Sequence, residues 1–406
     1  MNKLNVVRRP ITLLILVLAC WCVTVAPEIC ADMAPVTPYP VDPATVLHLP
    51  QGFKASVFAR LQPVGGSYFR GPRFMAFGPD GNLYLSLGLD NKVVMLPDTN
   101  HDGHADEVVT VSDRLNGPQG LVFVGGALYV ANQDRVVRLE QRNGKWPASG
   151  APPVISGLPS GGHTLKSLKL GPDGYLYVNV GSSCNVCQET DPMRATILRY
   201  TVEGRQAGAS ATFGTQSPIW ATGLRNAEGF AWHPQTGAMY ATNNGADMRS
   251  DKRGGAPIDD LPPEHLNLVE AGQYYGWPHC WGDHVADPDF PGAAGACTKA
   301  QPPVMTFPAH AAPLGMTFLD KSTFPTEYRN DALVALHGSW NRRQPSGYKV
   351  VRVHFEHGKP VRTSDFITGW LAPDGAWGRP VDVIVGPDGA VYVSDDRAGL
   401  VYRISY

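Results

Sequence analysis

The chain has 406 residues, 34 Lys+Arg against 36 Asp+Glu, and a formal net charge of -2. Such a balance argues against a nucleic-acid partner, which leaves a basic footprint. Hydrophobic residues are 43% of the chain, and 44 Gly and 36 Pro punctuate it. Disorder, collagen and coiled coil are thereby excluded, leaving two or three average domains or one large repeat.

At the N-terminus, Lys3, Arg8 and Arg9 precede an apolar run from Ile11 to Ala26. The run is short for a membrane span and fits the apolar region of a signal peptide. We assign residues 1–31 to a signal peptide and 32–406 to a single domain, with cleavage after Ala31. Cys20, behind Val17-Leu18-Ala19, is an alternative lipoprotein-type anchor. The expected location is periplasmic or secreted, with a membrane-anchored form as the alternative and no later transmembrane segment.

A strand is expected from Phe53 to Leu61, followed by a motif that recurs along the chain. Gly78-Pro79-Asp80-Gly81, Gly171-Pro172-Asp173-Gly174 and Gly386-Pro387-Asp388-Gly389 each open a short β-rich run, as do looser turns at 125–126, 233–237 and 330–331. Marked at Tyr84, Tyr129, Tyr177, Tyr240, Val334 and Tyr392, the copies are 45, 48, 63, 94 and 58 residues apart. Each is a turn followed by a strand, flanked by one strand before it and in most copies one after. Repeats of that length with several strands predict an all-β, six-bladed β-propeller. The Phe53–Leu61 strand is expected to close the ring against the blade that ends at Tyr406.

Between these strands, Asp98, Asn100, Asp102 and Gly103 fall at the spacing of an EF-hand start, but position twelve is Val109, not Glu. Either a weak calcium loop or a simple hairpin loop fits. Cys184-Asn-Val-Cys187 is followed by Gln188, which excludes a c-type haem site. A loop-stapling disulfide is expected there, and a second between Cys280 and Cys297, within one Gly/Pro-rich insertion. The long spacings carry insertions at about 243–262 and 276–305, and a third loop runs from Ser339 to Gly347. Trp277, Trp281 and Trp340 lie in these loops, with faces suited to stacking on a sugar or a flat cofactor.

The strand before each turn should be innermost, with its start facing the channel. Eight residues back from each turn stand Arg70, Asn116, His163, Arg225, Ala311 and Gly378, with Gln119, Asn226, Glu228 and Arg379 close by. A mixed set of Arg, His and amides at equivalent positions suits one planar, polyanionic ligand, since Arg presents a fork of donors to carboxylates. The plain alternative is a structural His163 and an Arg225–Glu228 ion pair.

At these residues the sequence resembles the soluble glucose/sorbosone dehydrogenase family. The resemblance rests on Gly223-Leu224-Arg225-Asn226-Ala227-Glu228-Gly229-Phe230, His163, Leu266-Asn267-Leu268, Tyr275-Gly276-Trp277-Pro278, and Arg379 before Asp382. It covers about residues 45 to 406, and His337-Gly338-Ser339-Trp340-Asn341-Arg342 brings it nearer the sorbosone branch. It implies a propeller that uses pyrroloquinoline quinone (PQQ) and calcium. It further implies that His163 is the general base that takes a hydroxyl proton as hydride moves to the quinone. Arg225 and Asn226 would bind the quinone oxygens, Arg225 also stabilising the charge that develops there. Gln119 and Arg379 would contact the cofactor, with Trp340 and Arg342 as candidates by neighbourhood. The carbonyls of Gly245 and Ala246 would bind calcium, with Asp247 a third metal candidate. The substrate would be a sugar or sugar-derived aldehyde or alcohol, and the electron acceptor a separate cytochrome or quinone. Val381 and Ala246 depart from the family pattern, and its cofactor lysine has no clear counterpart. Two other readings remain: a calcium-dependent lactonase-type hydrolase using Glu228, Asn243, Asn244 and Asp247, and a non-catalytic exported propeller.

Overall fold

A computed structural model describes residues 42–61, 71–147, 151–290 and 292–406. The signal-peptide assignment, Cys20 and Arg70 lie outside the described residues. The described chain forms six four-stranded antiparallel sheets. Blade 1 comprises Met75–Phe77, Leu83–Leu87, Lys92–Leu96 and Val109–Ser112. Blade 2 comprises Leu121–Val124, Ala127–Ala131, Arg135–Leu139 and Pro153–Ser156. Blade 3 comprises Leu168–Leu170, Leu176–Val180, Thr196–Tyr200 and Ile219–Thr222. Blade 4 comprises Phe230–Trp232, Met239–Asn243, Glu264–Val269 and Met305–Phe307. Blade 5 comprises Pro313–Phe318, Ala332–Leu336, Lys349–Glu356 and Lys359–Ile367. Blade 6 takes Pro380–Val385, Val391–Asp395 and Leu400–Ser405, and its fourth strand, Lys54–Arg60, comes from the other end of the chain. The expected six-bladed propeller and its mode of closure are both present.

The second strand of each blade is buried along its whole length or nearly so. A strand covered on both faces reads as a continuous apolar run, which is why Leu-Tyr-Leu, Leu-Tyr-Val and Val-Tyr-Val recur. The tyrosines bind the Asp of the repeated turn: Tyr84 donates to Asp80 (2.8 Å), Tyr177 to Asp173 (2.9 Å) and Tyr392 to Asp388 (3.2 Å). That bond ties each turn to its own blade and explains why both residues recur. First strands of neighbouring blades touch one another, so these strands line the channel.

Two kinds of connection reach the same end of the channel: those between blades, and those between the second and third strands of a blade. Blade 4 departs from the pattern on both sides of its third strand. Residues 244–263 form one insertion and residues 270–304 the other. The second insertion climbs beside the last strand of blade 3 through the Thr222–Tyr274 bridge. It holds the short hairpin Cys280–Trp281/Val285–Ala286, and the Cys280–Cys297 disulfide closes it. Arg249 pins one insertion to the other through Asp287 (2.5 Å) and Asp289 (2.6 Å). The Asp98–Asp106 loop binds itself: Asp98 accepts from the amides of Asp102 and Gly103, and Asp106 accepts from Thr99.

Candidate functional site

Two tiers of side chains line this end of the channel. The inner tier stands two residues before the equivalent paired position of each first strand: Arg73, Gln119, Lys166, Glu228, Leu314 and Val381. All are buried. Arg73 pairs with Asp396 (2.8 Å) and with Glu228 (3.3 Å), and donates to Gln119 (3.1 Å). Glu228 also accepts from Gln119 (3.0 Å) and Asn226 (2.9 Å). His337 donates to Asp396 (2.9 Å). Burial alone would push the Asp396 carboxyl up; His337, Arg73 and Arg379 outweigh it and hold it well below the usual carboxylate range. Arg379 donates to the carbonyls of His337 and Gly338 and lies over the Tyr348 ring. Lys166 donates to the Thr164 carbonyl (2.6 Å), and burial, aided by Arg194, pushes its ammonium down to about 7.

Above this tier is the mouth. His163 Nδ1 lies 3.1 Å from the Ser182 carbonyl and 2.9 Å from Ser182 Oγ, whose own hydrogen goes to the Cys184 carbonyl. Both neighbours can only accept, so Nδ1 carries the proton and Nε2 keeps the lone pair. Nε2 has no hydrogen-bond partner among the described residues. Burial, then the charge of Arg225, pushes the His163 imidazole down to about 4, so it is neutral at pH 7. Gly181 backs this residue: a Cβ there would fall 2.4 Å from His163 Cβ and 2.8 Å from Asn226 Oδ1, so no side chain fits.

Arg225, 3% exposed, binds Asp247 (3.1 Å) and Asn185 rather than Glu228. The expected Arg225–Glu228 pair is thus replaced by two separate ones, because Glu228 lies one tier down beside Arg73. Asp247 also accepts from Asn341 (2.9 Å), and His310 lies 3.6 Å away. His310, Ala312 and Met248, around this mouth, all adopt positive φ, a conformation that costs energy outside glycine. Asn226 Oδ1, Asn244 Oδ1 and Asn341 Oδ1 are buried acceptors without a donor. The carbonyls of Gly245 and Ala246 accept no hydrogen bond among the described residues either, while the Gly245 amide donates to the buried Glu264.

The remaining candidates divide. Asn116 is exposed and donates to Asp134 at the rim. Ala311 and Gly378 are buried. Trp277 and Trp281 are buried, and only Trp340, 38% exposed, offers an open ring. Arg342 is tied to the Ala309 carbonyl and to Asp260. Sequence reasoning gave no site role to Arg73, Lys166, His310, His337 or Asp396. The first two were readable, because five residues back from each turn, instead of eight, gives the inner tier.

These observations define a six-bladed propeller with a charged, ordered channel and a polar mouth enclosed by insertions. The chain belongs to the TrAA12-like family, which it matches over residues 48–406. It is 27% identical over 256 residues to the aldose sugar dehydrogenase YliI of Escherichia coli K12, covering 61% of either chain, so it spans less than two thirds of that relative. Two solved structures have a TM-score of 0.74 to it: the holo form of the pyranose dehydrogenase PQQ domain from Coprinopsis cinerea, at 22% identity over 92% of this chain and 98% of that one, and the calcium structure of Trichoderma reesei Carbohydrate-Active Enzymes Family AA12, at 21% over 92% and 99%. At such identities the likeness is one of fold.

Proposed function

We propose that this protein is an exported PQQ- and calcium-dependent dehydrogenase that oxidises a pyranose or aldose sugar, or a sorbosone-type aldehyde or alcohol, and passes electrons to a separate acceptor. The observation that carries the reading is a neutral His163 whose bare Nε2 stands in the mouth beside the buried Arg225. Family membership and the dehydrogenase names of its relatives support it.

The residues present fit both groups. Cationic Arg225, with Lys166 and Arg379 lower in the channel, suits a flat tricarboxylate. Lys166 adds a buried amine to the same channel. The Gly245 and Ala246 carbonyls, with Asn244 Oδ1, are oxygen acceptors without donors, which is what calcium seeks. Both carboxylate oxygens of Asp247 are engaged by Arg225 and Asn341, so we assign Asp247 first to orienting Arg225. When bound, PQQ supplies an electrophilic quinone carbon that accepts hydride, and calcium polarises it. His163 Nε2 takes the proton of the substrate hydroxyl. Arg225 would present N–H donors to the oxygens on which negative charge develops, with Asn226, held by Glu228 through its Nδ2, beside it. Trp340 offers the sugar an apolar face.

A metal-dependent hydrolase on this fold would need free carboxylates at the channel. Glu228 is bound to Arg73, Gln119 and Asn226, and Asp247 to Arg225 and Asn341, which favours the dehydrogenase. Two disulfides suit an oxidising compartment. Among the described residues no helix is long and apolar enough to cross a membrane. Calorimetric titration of the mature protein with PQQ tests the reading: calcium-dependent binding followed by sugar oxidation is expected. No binding with or without calcium, together with hydrolysis of a lactone, would overturn it.

A further inference from the structure

We infer that Asn185, held in the small ring closed by the Cys184–Cys187 disulfide, is a positioning residue that sets Arg225 and Asp247 against His163. The inference rests on the dehydrogenase reading for its catalytic consequence but not for its geometry.

Asn185 lies at an exposed position, yet its side-chain oxygen, side-chain nitrogen and carbonyl all have partners. Its Oδ1 accepts from Arg225 Nη2 (2.8 Å) and from the Asp247 amide (2.8 Å), which uses both lone pairs. Its Nδ2 donates to the Asp247 carbonyl (2.8 Å). Its own carbonyl accepts from Arg225 Nε (3.0 Å) and from Trp277 Nε1 (3.2 Å). One residue of blade 3 therefore clasps the entry to blade 4 and both blade 4 insertions.

A clasp on a free loop would lose entropy each time it formed. Here the loop is pre-ordered at both ends. The disulfide joins residues only three apart around Asn185. Glu189 accepts from the Ser183 amide (2.6 Å) and hydroxyl (2.7 Å). Ser182, on the same loop, fixes the His163 tautomer and bonds back to Cys184. The base and the guanidinium thus take their orientation from one cross-linked segment of eight residues, 182–189. Errors in placing one are carried to the other, and misplacement by an ångström can cost a hundredfold in rate.

The test compares wild type, Asn185→Ala, Asn185→Asp and the double variant Cys184→Ser/Cys187→Ser as full mature chains. Without cofactor, the Asp247 amide is followed by hydrogen exchange; in Asn185→Ala it is expected to exchange at least about tenfold faster, with Tm close to wild type. Loaded with PQQ and calcium, Asn185→Ala is expected to lose about tenfold or more in kcat with sugar KM within about threefold. Asn185→Asp keeps the acceptor for Arg225 but loses the donor to the Asp247 carbonyl, and should recover part of that loss. The double cysteine variant should move exchange and kcat in the same direction as Asn185→Ala. Unchanged Asp247 exchange in Asn185→Ala would overturn the clasp. So would a kcat loss that follows a fall in Tm and is not recovered by Asn185→Asp. If wild type neither binds PQQ nor oxidises any sugar, the proposed function falls while the exchange measurement still decides the clasp.

Discussion

The inner tier and the mouth adjoin in the same channel but treat polar atoms in opposite ways. In the inner tier Arg73, wholly buried, is matched by Glu228 and Asp396, and Gln119 and His337 fill the remaining bonds. In the mouth, His163 keeps a bare nitrogen, and Asn244 and Asn341 each keep a bare buried oxygen. A buried polar group without a partner costs free energy, so a saturated network reads as support and an unsaturated one as a place for a ligand.

The sharpest way to break this comparison is to remove one residue from each tier. His163→Ala should lower kcat by about 10²–10⁴ and leave Tm unchanged, measured by steady-state oxidation and thermal unfolding of the loaded protein. An undiminished rate would deny the mouth its base. Arg73→Met should do the reverse of a clean catalytic lesion. It strands two buried carboxylates and is expected to cost about 3–5 kcal/mol in urea unfolding.

A smaller effect comes from pH, where two adjacent acids have opposite signs. Asp396 is held below its ordinary value of 3.8 in the folded state. Its contribution is present above pH 3.8 and is lost as pH falls through the folded value. Burial pushes the neighbouring Asp395 up to about 6. Its folded state binds the proton more tightly, so stability falls as pH rises from about 4 to about 6. Asp395→Asn should flatten that fall, whereas Asp396→Asn should lower stability across neutral pH; unfolding curves at stepped pH read both. The smallest effect is expected at the rim. Trp340→Ala should raise sugar KM a few-fold with kcat and Tm near wild type; an unchanged KM would take the ring out of the sugar's path.

Much of the fold was legible because its signals are local and repeated. The Pro-Asp-Gly turns and Tyr-centred strands reflect one hydrogen bond made again in several blades, and the Phe53–Leu61 strand expected to close the ring does so. His163 and Arg225 were reached by a constant offset from those turns, with Asn226 next to Arg225. What lay beyond reach were partners from distant parts of the chain. Asp396 and His337 meet Arg73 and Arg379 through register across blades, and nothing near them in sequence announces it. Asn185 was hidden for a different reason: the Cys-x-x-Cys around it looked like a staple for its own loop, while its bonds go to residues 225, 247 and 277. Trp277 and Trp281 were offered as stacking surfaces because loops are usually open, but both are buried.

The sixth blade joins Lys54–Arg60 to Leu400–Ser405, and beside that seam Arg73 meets Asp396 across 323 positions of sequence. A polypeptide synthesised or threaded from one end therefore carries every other blade before it can close the ring. Until the strands of the sixth blade are in place, Arg73 lacks the counter-charge that Asp396 supplies. Closing the sixth blade and completing the charge network draw on adjoining residues, so removing Leu400–Ser405 should loosen Asp396 and weaken its pairing with Arg73.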